Sequence, residues 1–349
     1  MIDQIRKDLQ AAIDAHVFPG CVAGVYFNNQ SQVTALGHLT YDNDSPLVTE
    51  DTIYDVASIT KVIPVSSLAL KLLNDNLLST NDQLIRYLPQ FSGSYRERIL
   101  IHHLLTQTLS FKFRLSECKD MKSEEIMQKI LTADFDSPPG TSFSYANATS
   151  ILLGLVLEQC TGKTLDRAAE EYFFEPLSMN RTSFDASKFN IDMVAPTEID
   201  AWRGKLIQGE VHDESAWVFR PRVVGSAGLF TTVPDLLKFV QMLIEEGTYA
   251  GRRFFDTGTI NQMYTNQLSG KDQWTGLGWE LCQKSFMGRF CSESAFGKTG
   301  FTGCSVVIDP LKKAAIVLLS NHTYPRRRSN RDIINKIRCQ IADNVWKGL

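Results

Sequence analysis

Tyr54-Asp55-Val56-Ala57-Ser58-Ile59-Thr60-Lys61, followed by the apolar run Val62 to Leu73, is the stretch around which the rest of this 349-residue chain is organised. Serine is favoured where helices begin, and Leu68, Leu70, Leu72 and Leu73 continue at mixed helical spacing, so a helix is predicted to open near Ser58. Ser58 and Lys61, three apart, then share one helix face. A hydroxyl is a weak nucleophile at neutral pH and needs a base. A helix N-terminus disfavours the ammonium form of a nearby lysine and frees its amine for that task. A second Ser-x-x-Lys, Ser116 to Lys119, has no periodic apolar run behind it, so the pattern alone has little specificity. The plain alternative for Ser58 is a helix cap.

Hydrophobic residues at 43% and charged residues at 21% are ordinary for a globular chain, here long enough for about two domains and a sizeable core. A net charge of -3 gives no overall pull toward nucleic acid or an anionic membrane, which favours a small-molecule partner. Oligomeric state is not legible. Cys21, Cys118, Cys160, Cys282, Cys291, Cys304 and Cys339 form no Cys-x-x-Cys pair and are odd in number. They read as free thiols of a reducing compartment, not as zinc ligands or a disulfide framework. The first residues lack the apolar core of a signal peptide, and no run of about 18 apolar residues occurs, so a cytoplasmic protein without a membrane span is expected.

Ile2, Ile5, Leu9 and Ile13 fall on one face of a first helix that Pro19-Gly20 closes. Cys21 to Phe27 and Gln32 to Leu36 predict a hairpin turning at Asn28-Asn29-Gln30. From Ser58 to about Phe219 the signals are mainly helical, clearest over Asn147 to Cys160 with Gly162 just past its end. Asp235 to Leu243 is a further helix behind Pro234. Strands are predicted over Gly276 to Cys282, Ser294 to Thr299, Thr302 to Ile308 and Ala314 to Ser320. Ser329-Asn330-Arg331-Asp332 has the form of a capping box for a last helix through Ile333, Ile337, Ile341 and Val345. The fold class is therefore α+β. An antiparallel sheet built from both termini (1–57 and 220–349) is flanked by helices, with a mainly helical lobe (58–219) inserted. Arg326-Arg327-Arg328 reads as a solvated surface patch.

Two further motifs carry chemistry. Tyr145-Ala146-Asn147 lies 87 residues after Ser58, just ahead of the strongest helix. Its plain reading is a packed tyrosine and a helix cap. Its functional reading is a phenol whose pKa falls beside two ammonium groups, so that it accepts the serine proton. Lys298-Thr299-Gly300 occurs once, on a strand flanked by Gly297 and Gly303, where backbone can approach a ligand closely. The plain reading is a glycine-bent edge strand. A phosphate loop is excluded because Leu157 and Ser292 stand where its first glycine belongs, and no Gly-x-Ser-x-Gly elbow occurs. His102-His103 and His212-Asp213-Glu214 have no partner at zinc-protease spacing, so neither a metal nor an organic cofactor is expected.

Ser58-x-x-Lys61, Tyr145-x-Asn147 and Lys298-Thr299-Gly300, in this order and at these separations, resemble the serine β-lactamase and penicillin-binding superfamily. The branch they are most similar to is that of the class C β-lactamases and related esterases. Pro139 to Tyr145, Phe174 to Met179 and Gly225 to Thr232 fit the same branch, and the similarity spans about residues 5 to 345. The resemblance implies a cleft between the two lobes and a serine hydrolase acting through an acyl-enzyme. Its substrates would be small esters, β-lactam-like amides or D-amino-acid peptides. It assigns Ser58 as nucleophile and Lys61 with Tyr145 as the shared general base. Asn147 would orient Lys61 and the substrate amide. Lys298 and Thr299, with Gly300, would hold a substrate carboxylate, and the backbone N–H groups of Ser58 and Phe301 would form the oxyanion hole. Many esterase-type relatives carry histidine at the Lys298 position, so the lysine points to an anionic substrate. Gln107, Leu109 and Ser110 stand where the family usually has His and Ser-Gly. A different class of function, a catalytically silent binder of muropeptides or β-lactams on the same fold, is the alternative.

Overall fold

The computed structural model describes residues 1–270, 273–328 and 330–349. Helix α1 (Ile2–Asp14) turns Ile5, Leu9 and Ala12 inward. Strands β1 (Gly20–Phe27) and β2 (Gln30–Gly37) form the expected hairpin. Its turn is two residues, not three: Asn28 and Asn29 both take positive φ (51° and 59°), the pairing that suits the twist of a tight hairpin, and Gln30 already pairs with Phe27. The other strands of the main sheet come from the far end of the chain: β3 (Glu280–Leu281), β4 (Phe296–Thr299), β5 (Ser305–Asp309) and β6 (Ala314–Ser320). Their order is β2-β1-β6-β5-β4-β3, antiparallel throughout. The two termini meet where β1 pairs with β6, Cys21 opposite Ser320 through Phe27 opposite Ala314.

Alternation along β6 sends its residues into two cores. Ala314, Ile316 and Leu318 join Ile5, Leu9, Ile341 and Val345 beneath α1 and the last helix, α5 (Asp332–Lys347). Ala315, Val317 and Leu319 face the other way, toward α4 (Val233–Ile244). That core continues without a break into the helical half, through α2 (Ser67–Asn74) and α3 (Asn147–Thr161), whose C-terminus closes on Gly162 at φ 65°. The 58–219 stretch also holds a small hairpin, Glu198–Asp200 with Lys205–Ile207.

Several elements differ from expectation for local reasons. Ser58 does not cap an α-helix. It lies in a 3-10 turn, Ala57–Lys61, followed by a wide turn, Val62–Ser66, before α2 begins. Pro64 supplies no N–H to an α-helical ladder and keeps Ile63 out of helical geometry (φ −118°, ψ 107°). The predicted Gly276 to Cys282 strand shrinks to Glu280–Leu281, because Gly278 turns the chain at φ 85° and Cys282 leaves it at φ 47°. Residues 300–304 form a turn, so β5 opens at Ser305. Pro234 lies inside the first turn of α4 rather than ahead of it, and the helix is capped by Thr232. Helix α5 opens at Asp332. Ser329, the first residue of the expected capping box, lies outside the described residues. The arginine run is not uniformly solvated: Arg327 is half-buried and paired with Glu198 (2.6 Å) and Glu214 (2.8 Å). No helix among the described residues is long and apolar enough to cross a membrane.

Candidate active site

The nucleophile turn is built against buried polar anchors. Ala57, immediately before Ser58, takes φ 45°, a left-handed conformation that a residue with a Cβ pays for, and its N–H donates to Asp55 Oδ1 (2.8 Å). Asp55 is fully buried. Its other oxygen accepts the His212 N–H (2.7 Å), and its carbonyl accepts the Thr302 hydroxyl (2.7 Å). Three segments, 55–58, 212 and 302, are thereby tied together under Ser58. Gly300 completes the approach: a Cβ there would come within 2.3 Å of the Val56 carbonyl oxygen, so only glycine lets the end of β4 reach the nucleophile turn.

Above this base, Ser58 Oγ accepts two hydrogen bonds, from Lys61 Nζ at 3.1 Å and from the Tyr145 hydroxyl at 2.8 Å. Lys61 is 3% exposed and also donates to the Ser226 carbonyl (2.6 Å), which fixes its direction. Tyr145 is 44% exposed. Lys298 Nζ is 4.3 Å and Lys61 Nζ 5.1 Å from its ring centroid. Desolvation pushes the Tyr145 phenol up. The charges of Lys298 and Lys61, with hydrogen bonds to Ser58 and Lys61, outweigh it and bring the pKa below the usual tyrosine value.

Asn147 opens α3, and its Nδ2 donates to Asp213 Oδ2 (3.1 Å) and Ser215 Oγ (2.8 Å), turned toward that loop and not bonded to Lys61. Lys298 is buried and ion-paired with Glu280 from the neighbouring strand. Burial acts to lower the Lys298 pKa, but Glu280, and then Tyr145, more than offset it, and the pKa is raised. Ser58, Tyr145, Glu280, Lys298, Thr299 and Phe301 line one cleft of about 250 Å³, with Arg331 also on its wall. The Phe301 ring is held against His212 (centroids 5.6 Å apart) and beneath the Arg331 guanidinium (4.9 Å). The turn behind it is pinned by buried Arg338, whose Nη2 donates to the carbonyls of Gly300 (2.9 Å) and Cys304 (2.8 Å).

Sequence reasoning missed Glu280, Ser226, Arg338 and Gln107 as parts of this arrangement. Gln107 sits at φ 53°. Its side chain accepts the Ala146 N–H (3.2 Å) and donates to Ser150 Oγ (3.2 Å), while its carbonyl accepts the Ser144 N–H (2.7 Å). It thus grips the Tyr145 loop from both sides. The only hint in the chain was its departure from the family's usual histidine. Glu280 carried one overlooked signal, a carboxylate in a strand otherwise due for burial. His212, which has no partner at zinc-protease spacing in the sequence, is buried with its pKa lowered to about 3, chiefly by desolvation and by Arg327. The spare Ser-x-x-Lys lies on the surface, with Ser116 exposed and Lys119 over the Trp202 ring.

A family model described as "Beta-lactamase" matches residues 5–338. A protein of Escherichia coli K12 named "Putative D-alanyl-D-alanine carboxypeptidase" is 29% identical over 307 residues, covering 79% of this chain and 70% of its own length. Among solved structures, EstCE1, described as a hydrolase with promiscuous acyltransferase activity, superposes with a TM-score of 0.75 at 19% identity. It covers 97% of this chain and 98% of its own. The octameric penicillin-binding protein homologue from Pyrococcus abyssi gives 0.74 at 21% identity, covering 93% and 74%. At those identities the two structures speak for the fold alone.

Proposed function

The chain belongs to the β-lactamase family and is a serine hydrolase, and from that premise we propose that Ser58 is its acylated nucleophile, with Lys61 and Tyr145 as the shared base. The observation that carries this reading is the convergence of Lys61 Nζ and the Tyr145 hydroxyl on Ser58 Oγ at 3.1 and 2.8 Å. The two bases form one coupled set, so the proton is assigned to the pair. As Ser58 attacks a carbonyl carbon, its proton passes to the deprotonated member of the pair. The N–H groups of Ser58 and Phe301 stabilise the oxyanion, a contribution of about 3 kcal/mol per donor in comparable sites. Collapse expels the alcohol or amine, which takes the proton back, and leaves a Ser58 ester that water hydrolyses.

The substrates are small esters, β-lactam-like amides or D-amino-acid peptides, in keeping with a cleft of about 250 Å³ and with the names carried by the relatives. The helical stretch 58–219 and the sheet-bearing segments 1–57 and 220–349 form the two walls. Seven unpaired cysteines favour a cytoplasmic, reducing setting. The silent-binder alternative draws no support from the hydrolase relatives.

Intact-protein mass spectrometry after exposure to a panel of esters and β-lactams tests the reading. The acyl adduct maps to Ser58 and is absent in Ser58→Ala. Equal labelling of that variant refutes the assignment. A burst of p-nitrophenol from p-nitrophenyl butyrate, lost in Lys61→Ala and Tyr145→Phe, separates turnover from binding.

A further inference from the structure

Glu280 has no place in the acyl-transfer steps above, yet its carboxylate lines the same cleft and takes the Lys298 ammonium as its partner. Its strand pairs with β4, with Glu280 directly opposite Gly297, one residue from Lys298. The contact is therefore built into the sheet register and does not depend on a mobile loop. Both groups are largely screened from water, with side-chain exposures of 7% for Lys298 and 19% for Glu280, so the pair is a neutral unit held against the cleft wall. A small recess of about 20 Å³ is lined by both residues together with Lys61, Tyr145, Gln107 and Trp279, so Glu280 also borders the space beside the two bases.

We propose that Glu280 is a specificity-determining residue that cancels the charge of Lys298 and sets this hydrolase to accept an uncharged group where a lysine alone would collect a carboxylate. The inference rests on the acyl-enzyme reading of Ser58 and narrows its substrate class to neutral esters and amides. A substrate carboxylate seeking Lys298 must displace Glu280 or lie beside it. The first strands a carboxylate at a poorly hydrated position, and the second sets two like charges on one ammonium. A neutral acyl or leaving group meets neither cost and packs against an already paired wall. Other charged or titratable groups near Lys298 are Tyr145, which holds its ammonium in place, Arg331, which repels it from the start of α5, and Lys61, which shares the Tyr145 ring and the recess with it. Arg331 makes no ion pair among the described residues and is the cation by which an anion could still be drawn in.

Matched aryl acetates that differ only in the leaving group, 3-carboxyphenyl and 3-carbamoylphenyl acetate, read the selectivity within one preparation. The wild type is expected to hydrolyse the carbamoyl ester with the higher kcat/KM. Glu280→Gln is expected to shift the ratio toward the carboxylate ester by about tenfold, the scale set by removing one like charge at a partly buried site. Glu280→Asp, which keeps the charge, should retain the wild-type preference. Because the wild-type ratio is itself a readout, poor folding of either variant does not shield the proposal. It is overturned if the wild type favours the carboxylate ester or if Glu280→Gln leaves the ratio unchanged. Loss of both activities in Ser58→Ala with an unmoved ratio in Glu280→Gln rejects the role of Glu280 alone. Persistence of both activities in Ser58→Ala rejects the acyl-enzyme reading instead.

Discussion

The Tyr145 hydroxyl lies closer to Ser58 Oγ (2.8 Å) than the Lys61 ammonium does (3.1 Å), and its own pKa is lowered by the two lysines around it. The acid limb of kcat/KM then carries the deprotonation of the Tyr145 phenol. Replacing Lys298 by Met removes one of the cations that hold the phenol down and leaves Glu280 unopposed, so the Tyr145 pKa rises. The limb is expected to move to higher pH, seen in a pH profile against a neutral ester. Tyr145→Phe keeps the ring but loses the proton acceptor, and should slow acylation about 10²- to 10⁴-fold in a stopped-flow burst.

Asp55 and His212 are neighbours whose titrations oppose each other. Burial raises the Asp55 pKa to about 6, so its stabilising contribution is complete below 3.8 and is lost as pH rises through 6. Burial lowers the His212 pKa to about 3, so its contribution is present above 6.5 and is lost as pH falls toward 3. Between pH 4 and 6 the two slopes offset. Asp55→Asn should leave stability falling as the solution is acidified, and His212→Phe should leave it falling as pH rises. Each slope amounts to a few kcal/mol across the window. Urea denaturation at pH 4.5, 5.5 and 6.5 distinguishes the two signs, and parallel curves for both variants would reject the pairing.

Arg338 reaches from α5 to hold the turn that carries Phe301. Arg338→Met removes two charge-assisted hydrogen bonds from the Gly300 and Cys304 carbonyls, which each keep one backbone donor, at about 1.5 to 3 kcal/mol in all, so the melting temperature falls. With the turn that carries the Phe301 N–H loosened, acylation slows as well. Arg338→Lys, which can satisfy one carbonyl, is expected to fall between. Differential scanning calorimetry and burst rates on the same samples check both effects.

Gln107 grips the Tyr145 loop, so Gln107→Ala is expected to lower kcat more than it raises KM for a small ester. The loss of its side-chain bonds to Ala146 and Ser150 removes about 1 kcal/mol of stability. Gln107→Glu keeps the acceptor for the Ala146 N–H and should restore most of the rate. A Gln107→Ala enzyme with unchanged kcat would show that the loop holds Tyr145 without it.

Elements with strong local periodicity are legible in the sequence. The hairpin of β1 and β2, α3 with its closing Gly162, and β6 all lie within a residue or two of their predicted bounds. Where glycine or proline interrupts a periodic run, the prediction failed by overextension, as at Gly276 to Cys282. At Ser58 the apolar pattern concealed a 3-10 turn and the break at Pro64.

By itself the sequence determined the α+β class, the joining of both chain ends in one sheet, and the three short motifs. Each of these follows from side-chain type and spacing along the chain, which fix local conformation and which face is apolar. Only the tertiary structure decided that Glu280 neutralises Lys298, that Ser226 aims Lys61, and that Asn147 turns toward Asp213 and Ser215. Those contacts join residues from 18 to 165 positions apart. Charge compensation and hydrogen-bond direction depend on distances of a few ångströms in space, which sheet register and packing set and which no local pattern encodes.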